Sequence, residues 1–152
     1  MQKILLDTDI GGDIDDAVCL AYLLREPQCA LLGVTTVCGE SEKRAAGADA
    51  LCRAAGRQVP VVAGLDRPLQ PIPLYPTPEG AGALALHDPL AAAAVFHPEL
   101  LRFARGFVRV ETARRDRMAE TAFTPDAGGN VEIARSVDKK NFYAFLSSTL
   151  NK

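Results

Sequence analysis

Asp7, Asp9, Asp13, Asp15 and Asp16 place five carboxylates within ten residues, between the apolar runs Ile4-Leu5-Leu6 and Ala17 to Leu24. Like charges at this density repel. A fold holds them where water solvates them, where some are protonated, or where a cation lies among them. The apolar flanks draw the segment to a core edge, which disfavours full solvation. A hard divalent cation held by carboxylate oxygens suits these residue types best. The segment therefore predicts metal-dependent catalysis or metal binding.

Two known acidic patterns fit it poorly. An EF-hand loop would share the first two acid positions and the central glycine. Here Gly11 replaces the third acid and Val18 stands where a bidentate Glu belongs. An Asp-nucleophile phosphohydrolase also carries D-x-D after its first strand, but Ile10-Gly11 follows the second Asp where Gly-Thr or Gly-Val is usual.

The elements that must position these acids have a clear rhythm. Lys3 to Asp7 reads as a short strand ending in acid. Asp15 to Arg25 reads as a buried helix, apolar nearly all round, with Asp13 or Asp15 as its cap and Asp16 at its positive end. Ala30 to Val37 is rich in β-branched residues and reads as a second strand. Ser41 to Ala55 is a helix with Glu42, Lys43, Arg44, Asp49 and Arg53 on its wet face, stopped by Gly56. Val59 to Ala63 is a third strand. Strand, helix, strand, helix, strand implies two right-handed crossovers and a parallel sheet in the order third, second, first. Ligands of such sheets sit beyond the carboxyl ends of the strands, where Asp7 and Asp9 lie.

The second half is less regular. Asp66 to Gly82 carries five prolines and reads as a loop. Asp88 to Phe96 is an alanine-rich helix with Asp88 at the cap and Pro89 in the first turn. Pro98 to Ala104 adds another turn or two, with His97 a solvated turn residue. Phe107 to Thr112 alternates like a strand, Ala113 to Gly129 has no period, and Asn130 to Val137 reads as its antiparallel partner. Asp138 to Leu150 is an amphipathic terminal helix. The expected class is α/β. A Rossmann-like parallel sheet of three strands alternates with helices, followed by a C-terminal β-ribbon and helix. One domain spans 1–152, divided as 1–69, a Pro/Gly-rich 70–85 and 86–152.

The run D-T-D-x-G-x-D-x-D-D-A over Asp7 to Ala17 resembles the signature of the inosine–uridine-preferring nucleoside hydrolase family. Val34 to Gly39, Val59 to Gly64 with Arg67-Pro68-Leu69, Leu86-His87-Asp88-Pro89, Val108 to Thr112 and Asn130 to Ala134 resemble further family segments in the same order. The family's central portion has no counterpart between Leu69 and Leu86. Glu40 stands where many members carry an Asn that faces the sugar. The resemblance thus implies a truncated nucleoside hydrolase-like fold.

What the resemblance implies can be assigned residue by residue. Asp9 would touch calcium and take the proton from the attacking water. Asp16 would be a bidentate calcium ligand, Asp88 a late ligand and Asp7 a supporting one. Asp15 would reach the ribose hydroxyl, with Glu40 also facing the sugar. His87 would protonate the departing base. The implied activity is calcium-dependent hydrolysis of the N-glycosidic bond of ribonucleosides, in purine and pyrimidine salvage. The alternative is a non-catalytic metal- or ribose-binding relic, or a structural subunit of the same family.

Composition bounds the partners. The 152 residues carry a formal net charge of −2 and are 48% hydrophobic. This gives no electrostatic case for nucleic acid or an anionic membrane. No apolar run approaches the ~20 residues of a membrane span, and the opening residues do not read as a signal peptide. Cys19, Cys29, Cys38 and Cys52 lack C-x-x-C spacing and read as buried reduced thiols of a cytoplasmic protein. An exposed sheet edge would favour a homo-oligomer.

Overall fold

β1 (Gln2–Thr8) and β2 (Cys29–Thr36) pair in parallel, with Lys3 opposite Ala30 and Thr8 opposite Thr36. Parallel strands need a long crossover, and α1 (Asp15–Arg25) supplies it. α2 (Ser41–Ala54) makes the next crossover to β3 (Val61–Ala63), which pairs in parallel with the far end of β2. The computed structural model describes residues 1–67 and 86–151. It places the strands in the order β1-β2-β3, as the two crossovers require. The proline-rich stretch and its division at 70–85 lie outside the described residues.

One face of this sheet carries the core. Ile4, Leu6, Leu31 and Val34 pack against Cys19, Leu20, Leu23 and Leu24 of α1. The other face is open, with Leu5, Leu32 and Val62 each more than half exposed. α2 ends at Gly56, whose φ of +68° suits glycine and whose amide bonds to the Arg53 carbonyl.

The remaining elements are α3 (His87–Phe96), β4 (Leu101–Val110), β5 (Thr121–Pro125), β6 (Val131–Val137) and α4 (Lys139–Leu150). α3 and α4 pack on α1. Tyr22 of α1 meets the rings of Phe96 and Phe145 edge-on, and Phe142 and Leu146 are buried in the same cluster. The Tyr22 hydroxyl donates to Glu26.

Several expectations need correction. Only Pro98–Leu100 continues as a helical turn; Leu101 already starts β4. The aperiodic 113–129 stretch contains β5, so the ribbon is a three-stranded antiparallel sheet with β4 in the centre. β5 is five residues long and wet on both faces, so it shows no alternation. Pairing with β4 makes it a strand. This second sheet does not pack on the parallel one as expected. It joins the core at its base, where Leu101 and Val137 lie, and Phe103, Phe107 and Val110 stand exposed. Neither Asp13 nor Asp15 caps α1: the cap residue is Ile14, and Asp13 accepts only from the Ile14 amide. Asp88 does not cap α3, which begins at His87. His97 is not a solvated turn residue either. It lies between Glu26 and Glu99 and against the Phe145 ring.

Leu20 is fully buried where α1 meets its neighbours. Leu20→Ala should cost about 3 kcal/mol by urea unfolding, the scale of a buried leucine truncation with a residual cavity. A cost below about 1 kcal/mol would mean that α1 is not the centre of the core.

Candidate metal centre

The site is built where β1 hands over to α1. Thr8 ends the strand and is buried, and Ile10 turns back into the core. Gly11 has a φ of +93°, so the chain reverses there without the clash that a side chain would bring. The Thr8 hydroxyl ties the two sides of this turn, accepting from the Ile10 amide at 3.1 Å and donating to Asp16 Oδ1. Asp15 and Asp16 then occupy the first turn of α1, where the helix dipole favours negative charge. Both are 8% exposed. Asp88 approaches from the first turn of α3.

These three carboxylates converge. Asp15, Asp16 and Asp88 each offer an oxygen within 4.8 Å of the others. Burial holds the Asp88 carboxyl above its ordinary value, and Asp16, Asp15 and Asp9 push it the same way; His87 opposes them. The Cys19 thiol, one turn along α1, is pushed up to about 12 by burial and then by Asp88, Asp16 and Asp15. Among the described residues, no ion pair gives Asp15, Asp16 or Asp88 a cationic partner. Three hard oxygen donors, half-buried or buried and without an ion-pair partner among the described residues, fit a hard divalent cation.

Asp7, Asp9, Asp16 and Asp88 line one cavity of about 360 Å³, whose apolar wall includes Leu6, Ala92 and Phe96. Asp7 and Asp9 are exposed at it, and Asp7 accepts from the Thr35 hydroxyl at 2.6 Å. Asp15, which the resemblance gives to the sugar, stands in the three-carboxylate group itself. His87 is exposed beside Asp88. Glu40 lines a neighbouring cavity on the far side of the acidic loop, in a left-handed conformation, with its carboxylate on Lys43.

Sequence reasoning missed three residues here. Thr8 was legible as the centre of D-T-D. Asp66 caps α2 from 25 residues away, accepting from the Ser41 amide at 2.7 Å, and hydrogen bonding with the Ser41 side chain, then with this amide, holds its carboxyl below the usual range. Arg44 reads as a solvated helix residue but reaches back to the acidic loop. Of the four cysteines, all free, Cys38 is exposed, contrary to the expectation of burial.

A family model for the inosine-uridine preferring nucleoside hydrolases matches residues 4–82. The chain belongs to this family. An uncharacterized protein of Schizosaccharomyces pombe is 40% identical over 79 residues, half of this chain and 25% of that protein. The chain therefore spans about a quarter of the length of the curated relative it matches. A plant nucleoside hydrolase structure matches with a TM-score of 0.74 at 15% identity, covering 98% of each chain. At that identity the likeness establishes the fold. The family match ends before His87 and Asp88, so the third carboxylate of this nucleoside hydrolase-type chain lies outside the matched segment and joins the group through the packing of α3 on α1.

The raised Asp88 carboxyl makes a prediction for the metal-free protein. Its contribution to stability is fully present below the ordinary value of 3.8. It is lost as pH rises from there through the raised value, because the unfolded chain ionises first. In chelator at neutral pH, Asp88→Asn should therefore raise the melting temperature, by about 2 °C for a small gain in a chain this long. It should also remove any rise on adding calcium. A variant that melts lower than wild type in chelator would show that no repulsion is stored there.

Proposed function

We propose that this chain is a metal-dependent nucleoside hydrolase that cleaves the N-glycosidic bond of ribonucleosides, with calcium held by Asp15, Asp16 and Asp88 and supported by Asp9 and Asp7. The observation that carries the proposal is the convergence of three carboxylates, without a cationic partner among the described residues, beside a cavity in a chain of this family. Calcium takes about six to eight oxygens, so carbonyls, water and the substrate's hydroxyls would complete the shell. When bound, it would polarise a water and anchor the sugar.

The chain's own residues supply the rest. Asp9 stands at the cavity beside the acid group and accepts the proton of the attacking water as general base. The leaving base departs from an oxocarbenium-like sugar, as in glycoside cleavage. His87, adjacent to Asp88, donates a proton to its nitrogen. Asp15 serves the sugar hydroxyl as well as the cation. The cavity's apolar wall excludes water from the face where the base lies. Four free cysteines fit a reducing, cytoplasmic setting, and the activity suits purine and pyrimidine salvage. Among the described residues no strand pairs with the outer edge of β1, which fits self-association.

A second reading, a metal- or ribose-binding module without turnover, is favoured by one observation. Glu40, at the position given to a sugar contact, is tied to Lys43 and lines a different cavity. Lost sugar contacts lower turnover as well as affinity, because they are spent on the transition state.

Calorimetric titration with calcium, followed by incubation with inosine, uridine and a nitrophenyl riboside, separates the readings. The proposal expects one calcium site and base release that chelator stops. Asp9→Ala should lower release by at least about 100-fold, the lower range for losing a general base, with calcium still bound. Calcium binding without release supports the module. Release that survives chelator and Asp9→Ala refutes the proposed site.

A further inference from the structure

The guanidinium of Arg44, on α2, meets four backbone carbonyls. Its Nε donates to the carbonyls of Cys38 at 2.9 Å and Gly39 at 2.8 Å. Its Nη1 donates to the carbonyl of Ile10 at 2.8 Å and to that of Asp9. The first pair belongs to the loop leaving β2 and the second to the acidic loop leaving β1. One planar group thus joins the two loops at the carboxyl ends of adjacent parallel strands. Asp9 lines the acid cavity while its carbonyl is held from the other side by Arg44.

We infer that Arg44 is a positioning residue for the candidate metal centre: it pins the acidic loop to the loop after β2 and thereby sets where the Asp9 carboxylate stands. The inference rests on the metal-dependent reading above. The loop needs such a pin. Gly11 and Gly12 give it the greatest backbone freedom in the sequence's repertoire, and Gly11 to Ile14 are exposed. The Thr8 hydroxyl and the buried Ile10 side chain anchor its start, but past Ile10 its backbone tie is the long bond from the Gly12 amide to the Asp9 carbonyl, at 3.3 Å. Asp15 and Asp16 stand on a buried helix and need no such help; Asp9 does. The fork geometry matters, because a lysine offers a point charge on a flexible stem and cannot span both pairs of carbonyls. Arg44 also brings a positive charge to a loop of acids, so charge and geometry must be tested apart.

Arg44→Lys keeps the charge and removes the fork, and Arg44→Met removes both. Arg53→Met, on the same helix and paired among the described residues with Asp49 one turn away, is the control. Hydrogen exchange of the full-length, metal-free proteins reads the loop directly. Both Arg44 variants should speed exchange at Ile10 and Gly12 at least tenfold, leaving the amides of β1 and α1 unchanged. Calcium affinity by calorimetry should fall on the order of tenfold in both, as for lost supports of metal ligands. Arg53→Met should change neither. Wild-type loop protection in Arg44→Lys would overturn the inference, because charge alone would then suffice. Tighter calcium binding by Arg44→Met would overturn it too. If wild type binds no calcium, the metal-dependent reading fails, and the exchange result alone decides whether Arg44 holds the loop. Should Arg44→Met not fold, Arg44→Lys carries the test.

Discussion

Mutual repulsion among Asp15, Asp16 and Asp88 is the constraint around which this molecule is arranged. Three carboxylate oxygens within 4.8 Å of one another do not assemble by attraction. Apolar contact elsewhere must hold them. α1 and α3 come together through Leu20, Tyr22, Ala93 and Phe96, all buried, and this contact sets Asp88 against the first turn of α1. The α1 dipole and the Thr8 hydroxyl offset part of the repulsion. Burial first, and then these carboxylates, raises the Asp88 carboxyl and the Cys19 thiol. The core thus gathers three carboxylates at one end of a buried helix, and a bound cation would offset their repulsion.

The amino-terminal architecture was legible because it is local. Period, β-branched runs and Gly56 specify β1 to β3 and their order without reference to distant residues. The acid group was legible in part. Asp15 and Asp16 are separated by nothing, and a helix start places them together. Asp88 came from a family resemblance, because no local rule brings residue 88 to residue 16. Three of the failures share one cause. β5 is a strand because β4 lies beside it, and His97 is enclosed because Glu26 and Phe145 reach it from other elements. Ser41 and Asp66 likewise meet across 25 residues. Each depends on tertiary contact, which propensity and spacing do not encode.

The exposed apolar residues of β4 raise a separate point. Phe103, Phe107, Val108 and Val110 stand 39–48% exposed on a strand whose neighbours are short and wet. Gly106, between them, is a close-approach position: a Cβ there would lie 2.2 Å from the Thr124 carbonyl oxygen. The second sheet is therefore held by backbone pairing and tight glycine contacts more than by a core of its own. Its stability must come largely from its root at Leu101 and from α4.

The two halves of the candidate site also rest on different physics. Asp15, Asp16 and Asp88 are fixed by helices packed through a buried core, so their spacing resists local change. Asp9 stands on a glycine-bearing loop held by polar contacts to carbonyls, which water can replace. Cation binding by the helical acids tolerates small movements, since calcium accepts irregular oxygen shells. Proton abstraction does not, because a base must sit within hydrogen-bond reach of the water it activates. On the proposed reading, metal binding and hydrolysis would therefore be separable. Loosening the acidic loop would then remove catalysis well before it removed the cation, and the helical acids would still hold a metal in a form that turns nothing over.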